Sequence, residues 1–165
     1  MLLIKDAMVL IHLAKTAILE ESCIFFKEVT IPEKVKTEVL KENFPETKLI
    51  EQMITAQKIQ VRSIENKELL NKVHQLNIQR GEAEVVALAW ELHADTIATD
   101  DDNVRKKKHL LNLNIIGTPA ILLTLFQQQQ ISKDKLYQTI KILRETAWFS
   151  STIWDKIQME VEKNE

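Results

Sequence analysis

The sequence is poor in the residues that build several common kinds of functional site. It has only two glycines in 165 residues, Gly81 and Gly117, whereas phosphate-binding loops need several glycines close together. Its single cysteine, Cys23, excludes an intrachain disulfide framework and a cysteine-rich zinc site. One cysteine fits a reducing compartment, and we expect a cytoplasmic protein.

Long apolar runs and a large net charge are missing as well. The apolar stretch 1–4 is too short for the core of a signal peptide, and no stretch approaches the roughly 20 apolar residues of a membrane span. We therefore expect no membrane association. The formal net charge of −2 gives no overall attraction to nucleic acid, so any such contact needs a local basic patch. The length predicts one domain over residues 1–165.

Short apolar runs alternate with helical periods along the chain. The runs predict strands at 2–5, 28–31, 59–64, 96–99 and 114–116. Helices are predicted at 9–19, from Pro32 to a break at 43–45, and at 46–57, 67–76, 82–93, 101–111 and 118–126. Strands separated by helices predict right-handed crossovers and a parallel sheet, hence an α/β fold. Two amphipathic helices at about 132–165 either pack on the core or form a partner or dimer groove.

Four carboxylates are placed where this fold would bring them together: Asp6, Glu38, Glu82 and Asp100. Functional groups of a parallel sheet lie beyond the carboxyl ends of its strands, and Asp6 and Asp100 each end a predicted strand. Glu38 and Glu82 would border that edge from helices. Carboxylates gathered in one pocket repel one another, and the usual compensation is a divalent cation that prefers oxygen ligands. The pattern favours Mg²⁺ or Mn²⁺ and metal-dependent phosphodiester cleavage.

Each of these acidic residues also has a purely structural interpretation. An aspartate after a strand, such as Asp100, is a good helix N-cap, and Glu82 would be favoured by the dipole of its helix. Glu38 stands on a charged helix whose face is suited to water. Glu84 points about 200° away from Glu82 around the helix, which favours a structural role. Of the two acids after Asp100, Asp102 is the better candidate for contact with water or a second metal.

Three segments in the second half of the chain resemble the PIN-domain ribonucleases. Residues 81–89 read GEAEVVALA, residues 99–101 read TDD, and residues 117–118 read GT. The first segment is most similar to a VapC-like toxin branch whose members carry a GEAE motif. The resemblance covers roughly residues 2–150.

The first half agrees with this resemblance. Asp6 and the segment LIHLAK at 10–15 are similar to the opening of that family, and Pro32, Val35 and Glu38 are similar to its Pro-x-x-Val-x-x-Glu. The sequence departs from the family pattern at two places, one where the family usually has a hydroxyl residue and one where it has a glycine. Ala7 and Met8 follow Asp6 where the family usually has a hydroxyl residue, and its Gly-Thr-x-Gly becomes the segment GTPA at 117–120.

The resemblance implies a three-layer α/β/α sandwich with a central parallel sheet and a metal-dependent ribonuclease activity. It places catalytic acids at Asp6, Glu38, Glu82 and Asp100, and metal ligands at Asp6, Glu82, Asp100 and Asp102. It also implies an RNA substrate and an antitoxin encoded nearby, as in a toxin–antitoxin pair. We further expect a homodimer. Because a hydroxyl next to a metal ligand helps to orient it, its loss at Ala7 motivates an alternative, a catalytically weak RNA-binding or regulatory module.

A dense basic run at 105–108 closely follows the three consecutive aspartates at 100–102. Arg105, Lys106, Lys107 and Lys108 are either a solvated helix face or a clamp for the phosphate backbone of RNA. The four histidines lack metal-binding spacing, and we interpret them as surface or packing residues. Aromatic residues make up 5% of the chain, so RNA selection should depend on shape or a short single-stranded stretch.

Overall fold

A computed structural model of the protein describes residues 1–41 and 43–163. Five parallel strands form one sheet in the order β3-β2-β1-β4-β5. The strands are β1 (Leu2–Lys5), β2 (Glu28–Pro32), β3 (Ile59–Arg62), β4 (Thr96–Ala98) and β5 (Asn114–Ile116). Helices flank the sheet, which confirms the predicted α/β fold with a central parallel sheet.

Eleven helices are described, and they connect or extend the strands. Between β1 and β3 lie α1 (Ala7–Lys15), α2 (Leu19–Phe26), α3 (Glu33–Leu40) and α4 (Pro45–Thr55). Between β3 and β5 lie α5 (Lys67–Gln75), α6 (Arg80–Glu91), α7 (Asp102–Lys106) and α8 (Lys108–Leu111). After β5 follow α9 (Thr118–Gln127), α10 (Lys133–Thr146) and α11 (Ser151–Lys163). None of these described helices is both long and apolar enough to cross a membrane.

The central strands bring the carboxyl ends of β1 and β4 side by side. Lys5 at the end of β1 pairs with Ala98 at the end of β4, and the Asp6 amide extends this ladder by donating to the Ala98 carbonyl at 3.0 Å. The Thr99 amide likewise donates to the Ile116 carbonyl at 2.9 Å, beyond the last residue of β4. The residues that follow the two strands, Asp6 and Asp100, are therefore delivered to one edge of the sheet.

Helix α6 places the next acidic side chain near the same edge. Its residues 85–89 are buried, and it packs on β1, β2 and β4. Small side chains such as Ala83 and Ala87 let the helix approach the sheet closely. Burial of this continuous apolar face fixes the helix, so that its first turn, which carries Glu82, lies beside the strand ends.

The helix predicted at 9–19 is wrong in its extent. Helix α1 ends at Lys15, and a second helix, α2, begins at Leu19 and was not predicted. The chain turns at Ala17, which takes a left-handed φ of 53°, while the Ile18 amide donates to the Leu13 carbonyl at 3.0 Å. This is a helix ending usually made with glycine, so an alanine there gives no sequence signal. The helix predicted at 101–111 is also divided, at Lys107.

The two C-terminal amphipathic helices form as expected. Leu136 and Leu143 of α10 and Trp154 and Val161 of α11 are buried. Both helices contact α9. These apolar faces are thus covered by the chain itself, as the core-packing interpretation predicts.

Candidate active site

We call the four candidate carboxylates, Asp6, Glu38, Glu82 and Asp100, the acidic group. Asp6 belongs to this group and also caps a helix. Its Oδ1 accepts a hydrogen bond from the Val9 amide at 2.8 Å, which caps α1. Its Oδ2 accepts from the Thr99 hydroxyl, and only 3% of the residue is exposed. The structural interpretation and the functional one are therefore compatible at Asp6.

Asp100 is held by three donors. The Thr118 amide donates to Oδ1 at 2.7 Å, and the Thr118 hydroxyl donates to Oδ2 at 2.5 Å. His12 Nδ1 lies 2.8 Å from the same Oδ2. The Asp100 side chain is 2% exposed, so the carboxylate is fixed in orientation from two sides.

His12 was missed as a functional residue by the sequence reasoning. It was interpreted as a surface or packing residue, but it is buried and contacts a site carboxylate across 88 positions of sequence. No local pattern reports a contact at that separation. Thr99 and Thr118 were also missed as partners of the carboxylates, although both stand in the segments that carry the family resemblance.

Thr99 and Thr118 supply hydroxyl groups to the site, although Ala7 stands where the PIN-domain ribonucleases usually have a hydroxyl residue. Asp6 and Asp100 each accept a hydrogen bond from one of these threonine hydroxyls. Groups that orient a ligating carboxylate in this way tune its affinity and basicity. Thr99, directly after β4, and Thr118, at the start of α9, therefore supply the kind of contact that Ala7 cannot make.

Glu38 and Glu82 lie at the rim of the same group. Both are partly buried, Glu38 on α3 and Glu82 in the first turn of α6. The Gly81 amide donates a hydrogen bond to Glu38, and a Cβ on Gly81 would lie 2.6 Å from Glu38 Oε2. Gly81 thus leaves the space that the Glu38 carboxylate occupies.

Gly117, the second glycine of the chain, also lies against a carboxylate of the site. A Cβ on Gly117 would lie 2.8 Å from Asp100 Oδ1 and 2.6 Å from Arg105 Nη1. Since contacts this short force neighbours to move, glycine is the residue that lets the backbone between β5 and α9 pass close to Asp100. Both glycines of the sequence therefore lie against candidate site carboxylates.

The carboxylates act on one another electrostatically. Burial raises the pKa of Asp6 to about 7; hydrogen bonds from Thr99 and Val9 oppose the rise, and the charges of Asp100 and Glu82 add to it. Burial also raises the pKa of Glu38, and the nearby Glu82 charge adds to this rise. Because the pKa values of Asp6 and Glu38 are raised, the site favours binding a proton or a cation over holding four ionised carboxylates.

The residues fit a hard divalent cation by donor type. Asp6, Glu38, Glu82 and Asp100 offer only oxygen, and the two protein hydrogen bonds on Asp6 leave part of its roughly four lone-pair sites free. Within residues 1–41 and 43–163, however, no three acidic, histidine or cysteine side chains are arranged to hold an ion. A shared ion requires side-chain rotation, which the longer glutamates at the rim allow.

The remaining acids near Asp100 take different positions. Asp101 caps α7, with its Oδ1 accepting from the Val104 amide at 2.8 Å. Asp102 is exposed and lines a cavity of about 400 Å³ together with Asp100 and Arg105. Glu84 accepts from the Lys34 amide at 3.2 Å and so caps α3, a structural role.

The basic run does not lie on one surface of the site. Arg105 lines the cavity beside Asp100. Lys106 is exposed, and Lys107, the residue after α7, donates from Nζ to Asn103 Oδ1 of α7 at 2.6 Å. Lys108 lines a separate cavity with Asp95, at the opposite end of β4. Arg105 is the member of the run that the structure brings to the acidic group.

The chain belongs to the PIN-domain family. A family model described as PIN domain matches residues 2–163, nearly the whole chain and every element named above. PIN domains are generally nucleases, which supports a hydrolase role for this protein. No match was found among the curated proteins or the solved structures. The VapC-like branch and the GEAE subgroup stay predictions.

The raised pKa of Asp6 predicts how the metal-free protein responds to pH. Between its ordinary pKa of about 3.9 and its folded value of about 7, the folded state binds more protons than the unfolded state. The free energy of unfolding should therefore fall as pH rises through this window. Asp6→Asn keeps a helix-capping side chain, and we expect it to flatten this fall and to exceed wild type in stability above about pH 7.

Urea unfolding in EDTA at several pH values from about 4 to 8 measures this difference. Asp102→Asn, at an exposed carboxylate, is the matched control and should keep the wild-type slope. Identical slopes in wild type and Asp6→Asn would show that Asp6 does not hold a proton near neutral pH.

Proposed function

We propose that the protein is a metal-dependent endoribonuclease that uses Mg²⁺ or Mn²⁺. The observation that carries the proposal is the pair at the ends of β1 and β4: Asp6 is buried, and the neighbouring Asp100 has a side chain that is 2% exposed. The charge of Glu82 raises the pKa of both Asp6 and Glu38. In a family of nucleases, four mutually repelling carboxylates at this edge of the sheet favour a cation-dependent reaction.

The proposed ligands are Asp6, Glu82 and Asp100, with Glu38 completing the acidic group and Asp102 at the cavity. When bound, Mg²⁺ or Mn²⁺ lowers the pKa of a water and stabilises negative charge on the phosphate that is attacked. Thr118 and His12 hold the Asp100 carboxylate in place, and Thr99 holds that of Asp6. Arg105, in the same cavity, is placed to contact a phosphate.

A second candidate is the RNA-binding or regulatory module with weak catalysis. The absence of a ready-made three-ligand arrangement among the described residues favours it, as do Ala7 and Ala120 at positions where the family differs. The hydroxyls on Asp6 and Asp100 favour the enzyme. The two functions differ in whether RNA is cut when a divalent cation is supplied.

We also propose that the protein is the toxin of a toxin–antitoxin pair, acting on RNA in the cytoplasm as a homodimer that a cognate antitoxin protein binds. The GEAE segment at 81–84 supports this role. A small reading frame directly beside the gene is expected, and its absence would count against the role. Light scattering that gives only the monomer mass of 19.1 kDa at micromolar concentration would remove the dimer and leave the nuclease.

The experiment that tests the nuclease is cleavage of single-stranded RNA. Wild-type protein should cut it with Mn²⁺ or Mg²⁺, stop on addition of EDTA, and resume when excess cation is restored, because the carboxylates cannot act alone. RNA binding without cleavage under either cation would favour the binding module instead.

A further inference from the structure

Residues 148–150, between α10 and α11, form one wall of the cavity at the candidate active site. The Phe149 ring packs edge-on against His12 with ring centres 5.5 Å apart, and against Trp154 at the same separation. His12 in turn contacts Asp100. Phe149 therefore fixes this wall relative to the acidic group.

Trp148 is an exposed aromatic residue at the edge of this cavity. The residue is fully exposed, at 105% of its reference area, and lines the cavity together with Asp100, Asp102 and Arg105. The other two tryptophans have interior roles. Trp90 Nε1 donates to the Leu111 carbonyl at 3.0 Å, and Trp154 is buried. Because apolar surface in water is unfavourable, an exposed indole beside a reaction centre points to a ligand.

The chemistry of the cavity suits a nucleotide with an unpaired base. An indole face stacks on any nucleobase, Arg105 offers a cation for phosphate, and the acidic group would act on the phosphodiester. The volume of about 400 Å³ lies in the usual range for small-molecule sites, about 300–1,000 Å³. A base inside a duplex cannot reach the indole without leaving its stack.

We propose that Trp148 stacks on one base of single-stranded RNA and so holds the strand beside the acidic group. The proposal rests on the proposed nuclease function and names a residue that positions its single-stranded substrate. Since the stacked base is not the reacting group, stacking acts equally on bound substrate and transition state. Loss of the indole should therefore raise KM and leave kcat nearly unchanged.

The direct test is binding of a labelled single strand of about 12 ribonucleotides, measured by fluorescence anisotropy in EDTA so that no cation-dependent cleavage occurs. Trp148→Ala should weaken binding about 5- to 150-fold, the range that alanine substitution of stacking aromatics gives. Trp148→Phe should retain most of the affinity, whereas Trp148→Leu should behave as Trp148→Ala. Tyr137→Ala, at a half-exposed aromatic outside this cavity, should bind as wild type.

An abasic strand of the same length separates stacking from charge. Wild type and Trp148→Ala should bind it equally, because it keeps the phosphates and has no base to stack. Four results would overturn the proposal: no strand binding by wild type, unchanged binding in Trp148→Ala, an equal loss on both strands, or full affinity in Trp148→Leu. The last would indicate a general apolar contact such as a protein partner makes.

The outcomes distinguish this proposal from the nuclease proposal. If wild type never cuts RNA with Mn²⁺ but the base-dependent binding pattern holds, the nuclease fails and the stacking residue stands. If wild type cuts RNA and Trp148→Ala keeps its KM, the stacking role fails and the nuclease stands. Thermal melting of each variant should match wild type, since Trp148 is fully exposed.

Discussion

Asp100→Asn is expected to reduce RNA cleavage at least about 100-fold, or about 2.7 kcal/mol of transition-state stabilisation. The amide removes the charge that a cation would need. Its nitrogen also replaces an oxygen that accepts from Thr118 or His12. The Thr118 amide can still donate to the remaining oxygen, so the fold should survive and the melting temperature should change little. Initial cleavage rates with Mn²⁺ measure the effect.

Asp95→Asn is the matched control for this prediction. Asp95 precedes β4, whereas Asp100 follows it, so the same substitution is made at opposite ends of one strand. Asp95 is exposed, and its variant should cleave RNA at the wild-type rate. Equal cleavage by wild type and Asp100→Asn from identical purifications would reveal a contaminating nuclease and favour the RNA-binding module.

Replacing the buried Lys5 is expected to stabilise the protein. Lys5 of β1 is fully buried, its Nζ donates to Ser22 Oγ of α2 at 2.6 Å, and Nζ lies 5.7 Å from the Phe26 ring centre. Burial lowers the pKa of Lys5 to about 8, while the nearby Cys23 acts in the opposite direction. An ammonium that has lost its hydration is held here by few partners, so an apolar side chain of similar length should be favoured.

The double variant Lys5→Met with Ser22→Ala replaces both partners of this buried contact. Apolar replacement of a buried polar group is commonly neutral or stabilising, by about 1–4 kcal/mol, whereas removing one partner leaves the other unsatisfied. We expect a melting temperature higher by about 2–16 °C for a chain of this size. Lys5→Met alone should gain less. Lys72→Met, at an exposed lysine of α5, should have little effect.

The pH dependence of this gain follows from the lowered pKa of Lys5. The unfolded lysine titrates near 10.4, so between about 8 and 10.4 the unfolded state binds more protons than the folded state. Wild type should gain stability as pH rises through this window. The advantage of the double variant should be largest near pH 7 and shrink above about pH 8. A double variant that melts below wild type at pH 7 would show that the buried lysine stabilises the fold.

The sheet could be predicted from the sequence because its strands are short apolar runs separated by helical periods. Buried parallel strands give such runs, and β1 reads LLIK with the predicted bounds. The split of the first helix could not be predicted. The turn at Ala17 depends on a left-handed alanine, and neither glycine nor proline stands there to indicate it.

The positions of the acidic residues could be predicted from the sequence, whereas the residues that hydrogen-bond to them could not. Asp6 and Asp100 end apolar runs, and parallel topology alone brings such ends together. His12 contacts Asp100 through tertiary packing, which no spacing along the chain reports. The arrangement of the basic run could not be predicted from the sequence either. Four consecutive cations suggest one surface, but the break at Lys107 and the helical period send Arg105 and Lys108 to different cavities.

The two glycines of the sequence indicate more than the absence of a phosphate-binding loop. Gly81 and Gly117 were taken to rule out phosphate loops, and both prove to lie against site carboxylates, where a Cβ would meet Glu38 or Asp100. In a chain that otherwise avoids glycine, each one indicates a close approach of backbone to a side chain. That signal was readable from the sequence, although its partners were not.

The chemistry of the RNA ends tests the central claim most directly. If the carboxylate group uses a divalent cation to activate water, wild-type protein with Mn²⁺ should leave a monophosphate on one new end and a hydroxyl on the other. Mass spectrometry of the products of a short single strand reads both ends, and the same digest by Asp100→Asn should show intact strand. A 2′,3′-cyclic phosphate would contradict the account, because it requires attack by the RNA's own 2′-hydroxyl in place of water.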